Sequence, residues 1–198
     1  MAGITYNWDF TFLWMYRWLL IKGLGFTLLY TIGSIAFGLI IGLLVGLLRL
    51  SRNWLLTLPL IAYIEAFRCT PLLVLSLYTG AFYAEIFRGG VISIERGQWD
   101  AARAIGMPHV EVLRRVILPQ AIKRMIPPFL NQSIIQLKNT SLVSTIAVSD
   151  LLYQGQLITS ATYRPLETYT TVAMIYFAIL FPLTLFAQGV EHRLQRSD

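Results

Sequence analysis

Between Leu24 and Leu48 the chain carries no charged side chain. A helix rises 1.5 Å per residue, so about 20 such residues cross the hydrocarbon core of a bilayer. This run is therefore predicted to be a transmembrane helix. Composition agrees: of 198 residues 56% are hydrophobic and 13% charged, with a mean hydropathy of +0.62. That is too apolar for the surface of a soluble domain. Gly38, Gly42 and Gly46 recur every four residues on one face, where missing side chains let another helix come close.

The charges mark the topology. Arg49 and Arg52 close the first span, and Arg88 to Arg124 holds seven of the sixteen Lys and Arg residues. Both are expected on the cytoplasmic side by the positive-inside rule. Leu55 to Ala66 is apolar but carries Glu65 followed by Arg68, a pairing that suits an interfacial helix. Met125 to Leu152 is apolar yet studded with Asn131, Gln132, Gln136, Lys138, Asn139 and Asp150, so it is expected to line a polar interior rather than face lipid all round. Tyr153 to Thr168, with Gly155 and Pro165, is predicted as a far-side loop. A last span is expected from Tyr169 to about Ala187, ending in the basic tail of Arg193 and Arg196. The expectation is one all-α transmembrane domain over residues 1–198, a polytopic bundle of about four to five spans, with no internal repeat or separate soluble domain.

Several functions are excluded. The formal charge of +6 could suggest nucleic acid, but the basic residues sit in short segments beside apolar spans, not on one basic face. Cys69 is the single cysteine and makes no internal disulfide. The N-terminal stretch has Asp9, Arg17 and many aromatics but no small-residue cleavage site, so it is expected to be retained. His109 and His192 offer no metal set and no nucleophile-base pair. No Gly-x-x-x-x-Gly-Lys-Ser/Thr string occurs, so the phosphate cradle of a nucleotide-binding loop is absent. No catalytic residue and no resident cofactor is assigned.

The most specific string is Trp99-Asp100-Ala101-Ala102-Arg103-Ala104-Ile105-Gly106, followed at Leu118-Pro119 by an apolar step into a proline. Gln98 to Ile105 favours a helix, Gly106 can adopt the left-handed conformation that stops it, and Pro108 suits the first turn of the next. A helix-turn-helix loop is predicted over about residues 88–124. Ala101 and Ala102 give it a flat surface for a partner, Asp100 is expected near the helix start, and Val110, Leu113 and Ile117 form an apolar stripe.

This loop resembles the cytoplasmic coupling loop of ATP-binding cassette importer permeases, and the resemblance extends to their polar amino acid branch. Glu65-Ala66-Phe67-Arg68-Cys69-Thr70-Pro71-Leu72-Leu73, Ser76-Leu77-Tyr78-Thr79-Gly80-Ala81, Ala84-Glu85-Ile86-Phe87-Arg88 and Leu137-Lys138-Asn139-Thr140-Ser141-Leu142 look like that family's recurrent strings. The resemblance implies a permease subunit in a bacterial cytoplasmic (inner) membrane that moves polar amino acids. A separate pair of ATPase subunits would bind ATP and Mg. A second permease copy or a sister permease, an extracytoplasmic solute-binding protein and the lipid bilayer would be the other partners. Asp100, Ala101, Ala102, Gly106, Leu118 and Pro119 would couple to the ATPase. Asn131, Gln136, Lys138, Asn139, Thr140 and Ser141 are candidates for the translocation path. The competing structural reading has Lys138 paired with Glu85 or Asp150 and the hydroxyls bonded to their own helix. An ATP-independent transporter using Lys138, Glu85 and Asp150 as a charge relay is the rival from another class.

One departure stands out. Near Val74 and Leu75 two family strings that are normally separated by a span and an outside loop lie almost fused. Asn53 to Phe87 is too short for two crossings of about 20 residues and a turn, although parity between the basic segments asks for an even number. An internal deletion, a re-entrant hairpin or an inverted first helix would account for this. The deletion is favoured, with a shortened and inactive permease as its extreme form.

Overall fold

The computed structural model describes residues 7–49 and 75–195. Arg52, Leu55 to Ala66, Arg68 and Cys69 lie outside the described residues. A short 3-10 turn, Thr11–Trp14, precedes α1, Arg17–Arg49. Next come α2, Leu75–Ile92, α3, Arg96–Ala104, and α4, His109–Val112. A π-helical turn at Leu113–Ile117 leads into α5, Leu118–Asn139. A 3-10 segment, Thr140–Ile146, is followed by α6, Leu151–Thr162, and α7, Pro165–Gln195. No strand occurs among the described residues. Helices α1 and α7 are long and apolar enough to cross a membrane. The chain packs into two compact units, Met1–Thr31 with Leu137–Pro182 and Ile32–Gln136 with Leu183–Asp198.

In the first unit Leu13, Leu20, Leu151, Ile158 and Val172 form the apolar core. Thr27 knits α1 to the start of α6: its Oγ1 donates to the Gly23 carbonyl at 3.0 Å and accepts from the Leu151 amide at 3.0 Å. Gly23 is required there, because a Cβ would sit 2.9 Å from the Leu151 Cα. The predicted loop over Tyr153 to Thr168 is instead mostly helix α6. Asp150 Oδ1 caps it by accepting the Tyr153 amide at 2.8 Å, and Ser160 and Thr162 spend their hydroxyls on carbonyls four residues back. Gly155 lets α7 approach closely, since a Cβ there would lie 2.9 Å from Val172 Cγ2. Tyr163, at φ 55°, ends the helix in the left-handed region. The stretch from Met125 to Leu152 likewise is not one element, for the α-helix stops at Asn139 and Ala147 turns at φ 58°.

The N-terminal segment is tied to the turn before α7. Arg164 Nη1 lies 3.2 Å from Asp9 Oδ2 and 3.6 Å from the buried Glu167 Oε1, with its guanidinium 5.7 Å from the Phe12 ring. The Asp9 amide donates to Glu167 Oε1 at 3.4 Å. Hydrogen bonds from the Thr11 hydroxyl and amide, with Arg164 nearby, hold the Asp9 carboxyl below its ordinary value of 3.8.

In the second unit the glycine seam does what its spacing predicts, and it also sets a direction. A Cβ on Gly38 would meet Thr79 Cβ at 2.7 Å, one on Gly42 would meet Tyr83 Cβ at 2.5 Å, and one on Gly46 would meet Phe87 Cδ1 at 2.9 Å. Both partners advance together, so α1 and α2 run parallel. Arg49 and Arg88 therefore stand at the same end of the pair, in keeping with the parity argument, and Leu75 stands at the other.

Gly42→Leu should lower thermal stability in detergent by about 1–3 kcal/mol, the cost of overpacking a close helix contact, whereas Gly25→Ala, with open space around it, should be neutral or slightly stabilising. The stabilising contribution of ionised Asp9 is present above the ordinary carboxylate value and is lost as pH falls through its lowered one. Limited proteolysis before Arg17 should accelerate only at such acid pH, and Asp9→Asn should bring that acceleration to neutral pH.

Candidate coupling hairpin and polar interior

Helix α2 ends at Ile92, and the chain turns at once into the hairpin of α3 and α4. Gly106 adopts φ +81°, its amide bonds the Arg103 carbonyl at 2.9 Å, and the Met107 amide bonds the Ala102 carbonyl at 3.2 Å. This is the left-handed helix stop that the glycine spacing anticipates. Pro108, at φ −66° and ψ 150°, is the residue just before α4 rather than in its first turn.

The hairpin is seated on the end of α2 by a closed apolar cluster. Phe87 and Val91 of α2 pack with Ile94, Ala102, Val112, Ile117, Ala121 and Met125, all buried. Ala102 thus faces inward and Ala101 outward, so the two alanines do not form one outer surface as predicted. Asp100 is exposed in the second turn of α3, which begins at Arg96, and not at the helix start. The stripe of Val110, Leu113 and Ile117 also breaks: Val112 and Ile117 are fully buried while Val110 is 75% exposed. The π-helical turn changes the helical period across Leu113–Ile117, which a regular 3.6-residue count misses. At the tip Ile105 is 77% exposed, so two large apolar side chains flank the Gly106 turn. Leu118 is half-buried against the cluster, and Pro119 is exposed at the start of α5, directly after the π-helical turn. Beside the tip lies a cavity of about 650 Å³ lined by Arg96, Trp99, Arg103, His109 and Leu113 with the end of α2. The Trp99 and His109 rings stack there at 5.7 Å.

Farther along α5 a polar face turns inward within the same unit. Gln136 is fully buried, and its Nε2 donates to Ser34 Oγ of α1 at 3.1 Å. Ser133 Oγ lies 2.9 Å from the Tyr83 hydroxyl, and Tyr83 meets Phe129 edge-on with ring centroids 5.0 Å apart. Gln132 Nε2 and Gln136 Oε1 are buried without a hydrogen-bond partner among the described residues. Asn131 sits elsewhere, in a cleft of about 400 Å³ with Pro127, Pro128, Thr184, Gln188 and Glu191.

The remaining candidates belong to the first unit. Lys138 is exposed. Thr140 Oγ1 donates to the Leu137 carbonyl at 2.6 Å and Ser141 Oγ to the Lys138 carbonyl at 2.7 Å, as the structural reading has it. Glu85 bonds Arg88 at 3.1 Å and Asp150 caps α6. Sequence reasoning missed Ser34 and Tyr83 as partners of α5; the spacing of Gln132 and Gln136 on one helix face was the available signal. Among the described residues no group of three or more His, Cys, Asp or Glu side chains is placed to hold a metal ion.

Residues 72–196 match the family described as binding-protein-dependent transport system inner membrane component. The chain is 35% identical to the glutamine transport system permease protein of Escherichia coli (strain K12), covering 94% of this chain and 98% of that one. It is 36% identical to the L-cystine transport system permease protein of Bacillus subtilis, covering 88% and 86%. The crystal structure of an amino acid ABC transporter with histidines superposes with a TM-score of 0.89 at 33% identity, covering 95% of this chain and all of that one. The methionine ABC transporter MetNI in an inward-facing form shares the fold, with a TM-score of 0.76 at 22% identity over 89% and 96% of the two chains. The alignment with the glutamine permease runs over 214 positions but takes in 94% of the 198 residues here, about 186, so about 28 positions have no residue of this chain. That relative therefore carries residues with no counterpart in this chain.

Ser34→Ala alone leaves the Gln136 amide nitrogen unpaired and should cost about 1–3 kcal/mol of stability, while the double change Ser34→Ala with Gln136→Met should recover most of it. Thermal unfolding of the detergent-solubilised variants measures both.

Proposed function

The chain belongs to the family of binding-protein-dependent transport system inner membrane components, and on that premise we propose that it is the multi-pass permease subunit through which a bacterial ATP-binding cassette importer moves a polar amino acid across the cytoplasmic membrane. Membership makes it a transport subunit rather than an enzyme. Two ATPase subunits bind ATP and Mg, a second permease copy or a sister permease completes the pore, and an extracytoplasmic solute-binding protein delivers the substrate. Glutamine and cystine in the names of relatives support the substrate class.

The observation that carries this reading is the hairpin tip. Ile105 and Val110 stand exposed around the Gly106 turn, an apolar knob that a partner's groove would cover. Asp100 and Ala101 lie on the outer face of α3 and complete the contact. Ala102 and Leu118 belong to the apolar cluster behind it, and Pro119 opens α5, so these three pass the partner's motion on to α2 and α5. When ATP binding closes the ATPase dimer, the hairpin moves with it and the pore turns outward; hydrolysis resets it. Asn131 and Gln136 are the path candidates on α5, with Lys138, Asn139, Thr140 and Ser141 following on the same stretch of chain. Residues 1–198 act as one permease domain, since α1, α5 and α7 each contribute to both compact units. The near-fused family strings at Val74 and Leu75, together with unmatched positions somewhere along the longer relative, favour a second reading as a shortened permease that still docks.

Gly106→Pro forbids φ +81° and removes the amide that bonds Arg103. It should abolish co-purification of the ATPase subunit while membrane insertion persists. Normal ATP-driven uptake by this variant would sink the docking assignment. For the parent chain, a retained ATPase with uptake supports the importer, and a retained ATPase without uptake points to the shortened form.

A further inference from the structure

The described chain before α1 and the first turn of α1 carry several large apolar side chains with much of their surface exposed. Trp14 is 73% exposed, Met15 79% and Trp18 61%, and the half-exposed Trp8 and Phe10 stack with ring centroids 5.8 Å apart. Their placement follows a rule. Counting along α1, Trp18, Ile21 and Leu29 fall on one face, and all three are exposed, as is Trp14 in the turn just before it. The aromatics thus continue the apolar stripe that α1 turns away from the protein. Arg17 stands between the two rings, its guanidinium 4.7 Å from the Trp14 centroid and 5.9 Å from that of Trp18, and its Nη1 donates to the Trp14 carbonyl at 2.9 Å. The segment cannot swing freely, because Asp9 is bound by Arg164 and Glu167 at the start of α7.

We propose that Trp8 to Trp18 forms an interfacial foot whose partner is the headgroup and upper acyl layer of the lipid bilayer, held at a fixed depth by the Asp9, Arg164 and Glu167 staple. An aromatic cluster at the end of an outward apolar stripe is what the membrane-water boundary stabilises, for each indole has an apolar body and a polar edge. Arg17 holds its guanidinium against the indole rings, a cation at the same level as the aromatics, where lipid phosphates lie at the boundary. The inference rests on the proposed permease topology, in which this end of α1 lies opposite the basic Arg49 end and so on the extracytoplasmic side. A solute-binding protein or a second permease copy would need the same surface in contact with protein, whereas its continuity with the outward stripe of α1 selects lipid.

The test uses the full chain with Cys69→Ser, reconstituted in phosphatidylethanolamine and phosphatidylglycerol vesicles, carrying one spin-labelled cysteine at a time at Trp14, Met15, Trp18 or Leu29. Collision with oxygen, which concentrates in the acyl region, is compared with collision with a water-soluble nickel chelate. The expected result is oxygen exceeding the chelate several-fold at Trp14, Met15 and Trp18, at a depth shallower than Leu29. Chelate dominance at the three foot positions with Leu29 still in lipid overturns the foot and leaves the permease reading standing. Low collision with both reagents means that protein covers the surface and also overturns it. Chelate dominance at Leu29 as well overturns the foot and the membrane topology together. Adding Arg164→Gln should raise label mobility at Met15; unchanged mobility would remove the staple from the proposal.

Discussion

Two helices can approach closely only where one of them offers no side chain, and the seam of Gly38, Gly42 and Gly46 provides this on α1. Tyr83 and Phe87 fill the spaces so created, and their order along α2 makes the two helices parallel. From that contact follow the level at which α2 ends and the side on which Arg88 emerges. Because α3 begins only a few residues after Ile92, the height and orientation of the whole hairpin are inherited from the glycine seam.

Among the described residues the hairpin is held to α2 and α5 by buried side chains. Glu111 and Arg115 lie 3.0 Å apart but are largely solvent-facing, and such pairs contribute little. Ala102, Val112, Ile117 and Met125 are closed over Phe87 and Val91, so a push on the tip is received by buried side chains of α2 and α5. Packed interiors move as units, which is the property a coupling element needs. The π-helical turn between α4 and α5 sits inside this cluster and determines which hydrophobic residues face in and which face out.

Buried polarity is distributed differently. Along α5 Gln132 Nε2 and Gln136 Oε1 are buried without a hydrogen-bond partner among the described residues, although Gln136 Nε2 bonds Ser34. Such atoms cost free energy unless water or a solute meets them, whereas the hydroxyls of Thr140 and Ser141 are bonded to their own carbonyls.

How much of this was legible in the chain depends on the range of the interactions. Hydrocarbon leaves a spanning backbone no partner but its own, so the uncharged run to Leu48 was readable as a helix without any tertiary information. The left-handed stop at Gly106 and the four-residue glycine period are equally local, and both appear where the sequence puts them. Tyr153 to Thr168 misled because hydroxyl residues and a glycine favour loops in water, whereas in α6 the hydroxyls bond carbonyls four residues back and the glycine receives Val172. Which alanine faces outward, which valine is buried and which residue meets Gln136 could not be read in advance. These depend on a change of helical period and on partners brought together from distant parts of the chain, with Ser34 and Gln136 separated by 102 positions. The sequence by itself determined the solvent, the helices and their stops; only tertiary packing decided direction, facing and the company each polar group keeps.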